Sequence, residues 1–194
     1  MPSRQNILNA AGAILARNPG ASVAEIAAKA GVGRATLYRF FPTRNDMVRT
    51  LALDSLRQID EATQAVSYES LTAEQALAQI VKIIVPLGDR FRFLANEPAV
   101  LNDPEFKAGS ERQSLELAEL VEAMKAEGSM DQAVSTAWAV ATIEALIYAA
   151  WTSVDDGSVA RRDAAALAFR TMIKGLQAQE SGPTSSAKTR EKTA

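Results

Sequence analysis

Apolar residues recur at intervals of three and four along most of this chain, which is the spacing of one face of an α-helix. The first such stripe runs from Ile7 to Leu15 and predicts a helix over residues 4–17. Alanine is abundant, and β-branched runs bounded by turn signals do not occur in the sequence. The pattern therefore predicts an all-α protein.

A segment near the N terminus predicts two short helices joined by a tight turn. Ser22 and Glu25 have the spacing of a capping box, in which each residue satisfies a free backbone amide of the other. Gly31 follows, and glycine takes positive φ angles at low cost and ends helices. Leu37 and Phe41 then share the inner face of a second helix. This is the pattern of a helix-turn-helix unit, whose second helix enters the major groove of DNA.

The outer face of the second helix carries side chains suited to DNA. Arginine can read guanine through two hydrogen bonds, and small or methyl-bearing side chains can touch the methyl group of thymine. Hydroxyl groups and arginine can also bond phosphates, which fixes the position of the protein rather than its sequence preference. The alternative is an ordinary helical hairpin with solvated arginines. The candidate DNA-binding residues are Ser22, Arg34, Ala35, Thr36, Tyr38, Arg39 and Arg44.

Residues 30–42 read AGVGRATLYRFFP, and the basic Arg44 follows. This run resembles the signature of the TetR family of bacterial transcriptional regulators, although Phe40 stands where the family usually has histidine. The signature occupies only the first quarter of the chain. The resemblance implies a regulator that forms a dimer through its last two helices.

The rest of the chain predicts longer helices. A fourth helix from Thr43 to about Gln64 links the DNA-binding head to the remainder, and Pro86 must kink or end the fifth. Ser129 and Ser158 are predicted to open the last two helices. We therefore expect a helix-turn-helix domain over residues 1–45, the head, and a helical regulatory and dimerisation domain over residues 46–179, the body. Residues 180–194 are rich in Ser, Thr, Lys and Glu and predict a disordered tail.

The last two helices predict a dimer interface. Residues 133–154 are apolar nearly all round, which is typical of a helix buried on more than one side. Ala137, Ala141, Ala145 and Ala149 form a ridge of small side chains that permits close helix approach. Pairing of both helices with their symmetry mates would build a four-helix bundle in a homodimer. The alternative is that these helices pack only within their own subunit.

Aromatic residues of the body suggest a pocket for a small apolar effector. Glu144 is the only charged residue of segment 132–154, so its carboxylate must find a partner, face solvent or meet a ligand. Arg90, Arg92 and Arg112 are the alternative partners, and the aromatic residues are equally compatible with a plain core. The candidate ligand-binding residues are Phe91, Phe93, Met124, Trp138, Glu144, Tyr148 and Trp151.

Charge and composition narrow the functional classes. Residues 1–50 carry seven lysines and arginines against two acids, whereas the whole chain has a net charge of −2. A basic head on an acidic body suits binding of a polyanion. The sequence has neither histidine nor cysteine, which removes catalytic triads, thiol nucleophiles and ordinary zinc sites. We therefore expect no enzymatic activity and no cofactor.

The sequence predicts a cytoplasmic protein, because it shows no signal-peptide pattern and no run of about 18 uncharged apolar residues. We expect a homodimeric repressor that binds a palindromic operator in double-stranded DNA and is released by a small effector. Two alternatives are a helix-turn-helix protein without an effector and a helical interaction scaffold without a DNA role.

Overall fold

Polar residues at the N-caps set where six of the helices begin. A computed structural model describes residues 3–66, 68–94 and 97–177 of the chain. Two single 3₁₀ turns lie at Tyr68–Ser70 and Val85–Leu87. The predicted tail, residues 180–194, lies outside the described residues. The described ranges contain ten α-helices: Arg4–Leu15 (α1), Val23–Lys29 (α2), Arg34–Phe40 (α3), Arg44–Gln64 (α4), Ala73–Ile84 (α5), Gly88–Leu94 (α6), Pro98–Leu101 (α7), Pro104–Ala126 (α8), Thr136–Asp155 (α9) and Arg161–Leu176 (α10).

Three capping boxes determine the starts of α2, α4 and α5. In each, the N-cap hydroxyl accepts a hydrogen bond from a backbone amide three residues later, and that residue's side chain bonds the N-cap amide. The N-cap residues are Ser22, Thr43 and Thr72. Asp103 caps α8 by accepting from the Phe106 amide at 2.9 Å. The predicted start of α4 is therefore confirmed, as is its predicted end at Gln64.

The last two helices begin later than the sequence pattern suggests, so the predicted starts at Ser129 and Ser158 are wrong. Gly128 has a φ of 78° and Gly157 has a φ of 79°, and each begins a turn rather than a helix. Ser135 caps α9, and α10 begins at Arg161. In these turns Asp131 accepts from the amide of Ala133, and Asp156 accepts from the amide of Ser158. Such side-chain bonds to nearby amides look like helix caps when only the sequence is seen.

Pro86 interrupts the chain between α5 and α6, as predicted. The α-helix stops at Ile84, a 3₁₀ turn spans Val85–Leu87, and α6 begins at Gly88. Gly88 is required for packing, because a Cβ atom there would lie 2.1 Å from Cδ1 of Trp151. The break thus brings α6 directly against α9.

Two hydrophobic clusters hold the protein together. The head cluster contains the inner faces of α1, α2 and α3, the first turns of α4, and Phe93, Leu94 and Val100 from α6 and α7. The body cluster is built from α5, α8, α9 and α10. Helix α4 begins in the head cluster and runs on beside α8.

One side of α9 faces away from both clusters. Its buried residues are Ala139, Ile143, Ile147 and Ala150, and the alanine ridge described above is exposed. Among the described helices, α9 alone is long and apolar enough to cross a membrane by length and composition, and only 22% of its most apolar window is buried. A helix this apolar with one open side leaves a large surface for another protein chain to cover.

Candidate functional site

The second helix of the helix-turn-helix unit, α3, is anchored on one side and open on the other. Leu37 and Phe41 are each only 1% exposed and fix the helix in the head. Arg34 is its first residue, next to the Gly33 N-cap, and is exposed. Tyr38 is 48% exposed on the open side. The arrangement presents one face of a rigid helix to an external surface.

The turn before α3 depends on a left-handed glycine. Gly31 has a φ of 66°, and every other described residue from Ser22 to Arg44 has a negative φ. The amide of Val32 donates to the carbonyl of Ala27 at 3.0 Å, which closes the end of α2. The sequence-based prediction of this turn is therefore confirmed.

The other candidate side chains of α3 share the open face. Ala35 is exposed and Thr36 is half-buried at its edge. The guanidinium of Arg39 lies over the ring of Phe40, 5.4 Å from the ring centre. This contact holds the arginine close to the helix while leaving it exposed.

Ser22 lies at the start of α2, where its hydroxyl is used in the capping box. The Ser22 hydroxyl donates to Oε2 of Glu25 at 2.7 Å, and the Ser22 amide donates to the same oxygen at 2.8 Å. These hydrogen bonds, first that of the amide, hold the pKa of Glu25 below its ordinary value. Ser22 therefore positions the helix pair, and any contact it makes with DNA is additional.

Arg44 makes two contacts within the protein. Its guanidinium donates to the carbonyl oxygen of Pro19 at 2.8 Å and lies 3.6 Å from the carboxylate of Glu97. The side chain is 33% exposed. Arg44 thus ties the start of α4 to the α1–α2 connection and to the N-cap of α7.

A second arginine of α4 joins this helix to the start of α8. Arg49 donates to the carboxylates of Asp103 and Glu105, each at 2.6 Å. Farther along α4, Asp60 accepts from Arg112 and Gln113 of α8. Sequence analysis missed this polar contact between α4 and α8, because opposite charges some fifty residues apart cannot be paired without the fold. These contacts hold α4 against α8 along much of its length.

A polar cleft of about 600 Å³ lies between head and body. On one side it is lined by residues of α1, α2 and the segment between them, which include Arg17, Glu25 and Lys29. On the other side it is lined by Val154, Asp155 and Arg161. A second cleft of about 460 Å³ lies beside Arg49 and Arg112. Neither of these two clefts is lined by a candidate ligand-binding residue.

Three of the seven candidate ligand-binding residues lie inside the body or at its edge. Phe91 and Trp151 stack with ring centres 5.3 Å apart and planes 18° apart. The indole N–H of Trp151 donates to the carbonyl of Ile84 at 3.4 Å. Met124 is fully buried in the body cluster. The Phe91–Trp151 pair is thus a largely buried aromatic contact where α6 meets α9.

The other four candidate ligand-binding residues lie away from this pair. Phe93 is 6% exposed and packs in the head cluster, on the side of α6 opposite Phe91. Trp138, Glu144 and Tyr148 are exposed, on the side of α9 opposite its buried residues. Because α9 is apolar on nearly every side, its sequence could not indicate which side faces inward.

Glu144 has a partner on α8 that was not foreseen. Its carboxylate accepts from the hydroxyl of Ser114 at 2.7 Å. Arg112 pairs instead with Asp60 and Glu116. The side chains of Arg90 and Arg92 lie outside what the structure describes.

Known proteins similar to this chain are transcriptional regulators with a helix-turn-helix unit. The family model for bacterial regulatory proteins of the tetR family matches residues 7–51. The HTH-type transcriptional repressor LfrR of Mycolicibacterium smegmatis is 32% identical over 159 residues, which are 80% of this chain and 80% of that protein. A crystal structure of the TetR-like transcriptional regulator LfrR from Mycobacterium smegmatis in complex with proflavine has a TM-score of 0.74 and 29% identity, covering 93% of this chain and 100% of that chain.

A more distant structure shares the fold. The ketosteroid transcriptional regulator KstR2 of Mycobacterium tuberculosis has a TM-score of 0.70 at 16% identity, covering 92% of this chain and 97% of that chain. The similarity therefore extends over head and body together.

Proposed function

This chain belongs to the TetR family of bacterial transcriptional regulators, and we propose that it acts as a two-fold homodimer that a small effector releases from a palindromic operator. Like LfrR, the protein is a DNA-binding transcriptional repressor rather than an enzyme. The observation that carries the proposal is α3, a helix anchored by Leu37 and Phe41 with arginines and a tyrosine on its open face. We further propose that the protein is cytoplasmic, with a head over residues 1–45 and a body over residues 46–179.

In the proposed complex, the open face of α3 lies in the major groove. Arg34 begins the helix, where base edges are reached, and reads guanine. Ala35 and Thr36 contact thymine methyl groups, while Tyr38 and Arg39 bond phosphates. Two heads related by a two-fold axis would present two α3 helices about 34–36 Å apart, one turn of DNA.

DNA binding by the wild-type dimer is the direct test of this function. We expect the protein to bind the duplex upstream of its own gene with an affinity that falls steeply as salt rises, because cationic side chains displace counterions from phosphates. Fluorescence anisotropy at several salt concentrations measures this, with a duplex of scrambled sequence as the control. Equal affinity for both duplexes would leave only nonspecific binding, and no binding would favour the helical scaffold.

Support for the dimer comes from the exposed faces of α9 and α10. The alanine ridge of α9 is exposed, and Trp138 is 66% and Leu167 39% exposed beside it. An apolar surface of this kind is costly in water and is typical of an interface. A wild-type monomer in sedimentation at micromolar concentration would contradict the proposal.

For the effector we propose a planar aromatic molecule, of the class to which proflavine belongs. Support comes from the LfrR complex with proflavine and from the stacked Phe91–Trp151 pair, in which such a ring could take the place of Phe91 against Trp151. Helix α6 carries Phe91 against the body, and Phe93 and Leu94 into the head cluster. A ligand that displaces Phe91 would therefore shift α6 and favour another placement of the head.

The two tryptophans of the chain provide a test of this site. The variant Trp138→Phe keeps only Trp151, and Trp151→Phe keeps only Trp138. We expect proflavine to quench the fluorescence of the first variant strongly and that of the second weakly, and to lower the operator affinity of wild type. Equal quenching in both variants would place the ligand elsewhere. If neither saturating proflavine nor other planar aromatic compounds change the operator affinity, the protein is better described as a regulator without such an effector.

A further inference from the structure

The exposed face of α9 is apolar except for one acid. Trp138, Ala141, Ala145 and Tyr148 are exposed along it, and Glu144 is the only charged residue between Thr136 and Val154. The hydroxyl of Ser114 bonds one carboxylate oxygen of Glu144, but this neutral group leaves the negative charge uncompensated. If another chain covers this face, that charge must be buried with a cation or at a large cost.

The exposed face of α10 has the complementary character. Leu167 is 39% exposed, and Arg170 and Lys174 follow it on the same face. Neither cation makes an ion pair among the residues that the structure describes. The cations of α10 and the acid of α9 are thus available to a second copy of this chain.

The two helices run along the line from body to head. The C-terminal end of α9, at Val154 and Asp155, lines the cleft whose other wall belongs to the head. Both heads of a dimer must face the same DNA, so its two-fold axis runs in this direction as well. A rotation about that axis keeps every residue at its own height along it.

Glu144 and Arg170 lie at matching heights in the α9–α10 hairpin. With a rise of about 1.5 Å per residue, Glu144 is about 16 Å from the end of α9 at Asp155, and Arg170 is about 14 Å from the start of α10 at Arg161. Glu144 also lies at the edge of α9 that contacts α8 through Ser114. In a four-helix bundle, the edge of α9 away from its own α10 is the edge that meets the partner's α10.

We propose that Glu144 pairs with the partner's Arg170 across the two-fold axis, and that these two ion pairs set the register of the dimer and select a second copy of the same chain. The inference rests on the proposed homodimer. Packing of α9 against the partner's α9 would leave both acids buried without a cation. The planar, two-pronged guanidinium of Arg170 suits a carboxylate that is already held by one hydrogen bond.

Charge reversal tests the pair, because both residues are exposed in one subunit and their replacement does not disturb its core. The variants are Glu144→Arg and Arg170→Glu, each alone and combined in one chain, with Lys174→Glu as the control of equal charge change one turn away. Circular dichroism and melting of each variant check its fold. Sedimentation equilibrium gives the dimer dissociation constant.

Each single variant is expected to weaken its homodimer by about 10-fold or more, and the double variant to recover most of that loss. An equimolar mixture of the two single variants restores both pairs only in the heterodimer. Native mass spectrometry of tagged chains should therefore show that nearly all dimers in this mixture are heterodimers. A mixture of Glu144→Arg with Lys174→Glu should show a smaller fraction of heterodimer.

The possible failures separate this inference from the proposed homodimer. Statistical mixing of the two single variants, about half heterodimer, would overturn the ion pair while leaving the wild-type dimer intact. Preferential mixing with Lys174→Glu would assign the contact to Lys174 instead. A wild-type chain that sediments as a monomer would overturn the homodimer itself.

Discussion

At the scale of single residues, Gly31 and Gly33 offer a matched pair for testing the turn before α3. Gly31 has a φ of 66°, whereas Gly33 has a φ of −72°, and neither would bring a Cβ atom within 4 Å of another group. We expect Gly31→Ala to lower stability by about 1–2 kcal/mol, because an L-residue resists the left-handed region. Gly33→Ala should change stability much less. Thermal melting measures both, and equal effects would contradict a conformational role for Gly31.

The same pair of variants bears on DNA binding. Gly31→Ala should weaken operator binding as well, since the turn aims α3 at the groove. Gly33→Ala adds a methyl group on the exposed side at the start of α3 and so reports on how closely DNA approaches there. A large loss of affinity without loss of stability in Gly33→Ala would indicate close backbone approach to DNA.

Arg34 and Tyr38 are expected to differ in what their loss does to binding. Arg34→Ala should cost about 1–3 kcal/mol on the operator and relax its sequence preference, as the loss of a base contact does. Tyr38→Phe removes only the hydroxyl and should weaken binding to operator and scrambled duplex alike. Anisotropy at one fixed salt concentration compares them. Unchanged affinity in both variants would mean that α3 is not the DNA-reading helix.

Residue-level chemistry was predictable wherever it is local in sequence. The capping box of Ser22 and the left-handed Gly31 follow from neighbours within a few positions, so sequence reading found them. Arg44 could not be assigned in this way. Its contacts with Pro19 and Glu97 depend on how α4 meets α1 and α7.

At the scale of helices, Asp103 has two roles: it caps the N terminus of α8 and forms an ion pair with Arg49 of α4. The amide of Phe106 and then the guanidinium of Arg49 hold the pKa of Asp103 below its ordinary value. The ionised carboxyl therefore favours the folded state. Its contribution is complete above the ordinary pKa of aspartate, about 3.9, and is lost as the pH falls through the lowered value.

Two substitutions at this position separate its two roles. Asparagine is also a good N-cap, so Asp103→Asn should keep the start of α8 and lose only the contact with Arg49. Asp103→Ala should lose both and melt a few degrees lower than Asp103→Asn at pH 7. Below about pH 4, wild type should lose stability more steeply than either variant. Parallel pH profiles for all three proteins would contradict the lowered pKa of Asp103.

Helices were predictable from periodicity, but the inner side of α9 was not. The amphipathic stripe of α1 identifies its buried side, and Ile7, Leu8 and Leu15 are indeed buried. In α9 apolar residues occur on every side, so Trp138 and Tyr148 appeared as suitable for a pocket as Ile143 and Ile147. Only the packing of α9 on α8 and α10 distinguishes the two sides.

At the scale of the whole molecule, α4 is held against α8 by contacts that no local pattern reveals. Arg49 lies on α4, and its acids Asp103 and Glu105 lie at the start of α8, more than fifty residues later in the chain. The proposed division into a head and a body rests on the charge asymmetry and on the resemblance of residues 30–42. The α4–α8 contact was not, because long-range pairing depends on the tertiary fold.

The dimer should determine how tightly the protein holds its operator. Ala141 lies in the middle of the exposed ridge of α9, so Ala141→Glu places a charge in the proposed interface without disturbing the core of one subunit. The control is Ala123→Glu, the same change at an exposed position of α8. We expect Ala141→Glu to give folded monomers and Ala123→Glu to remain a dimer. Sedimentation and circular dichroism measure both.

Loss of the dimer should then appear in DNA binding with a predictable size. A monomer contacts one half-site, whereas a dimer binds its second half-site at an effective concentration set by the first. Operator affinity should therefore fall by about 100-fold or more in Ala141→Glu, while affinity for an isolated half-site stays near that of wild type. If Ala141→Glu stays a dimer with full operator affinity, the two copies must meet through a face other than the alanine ridge of α9.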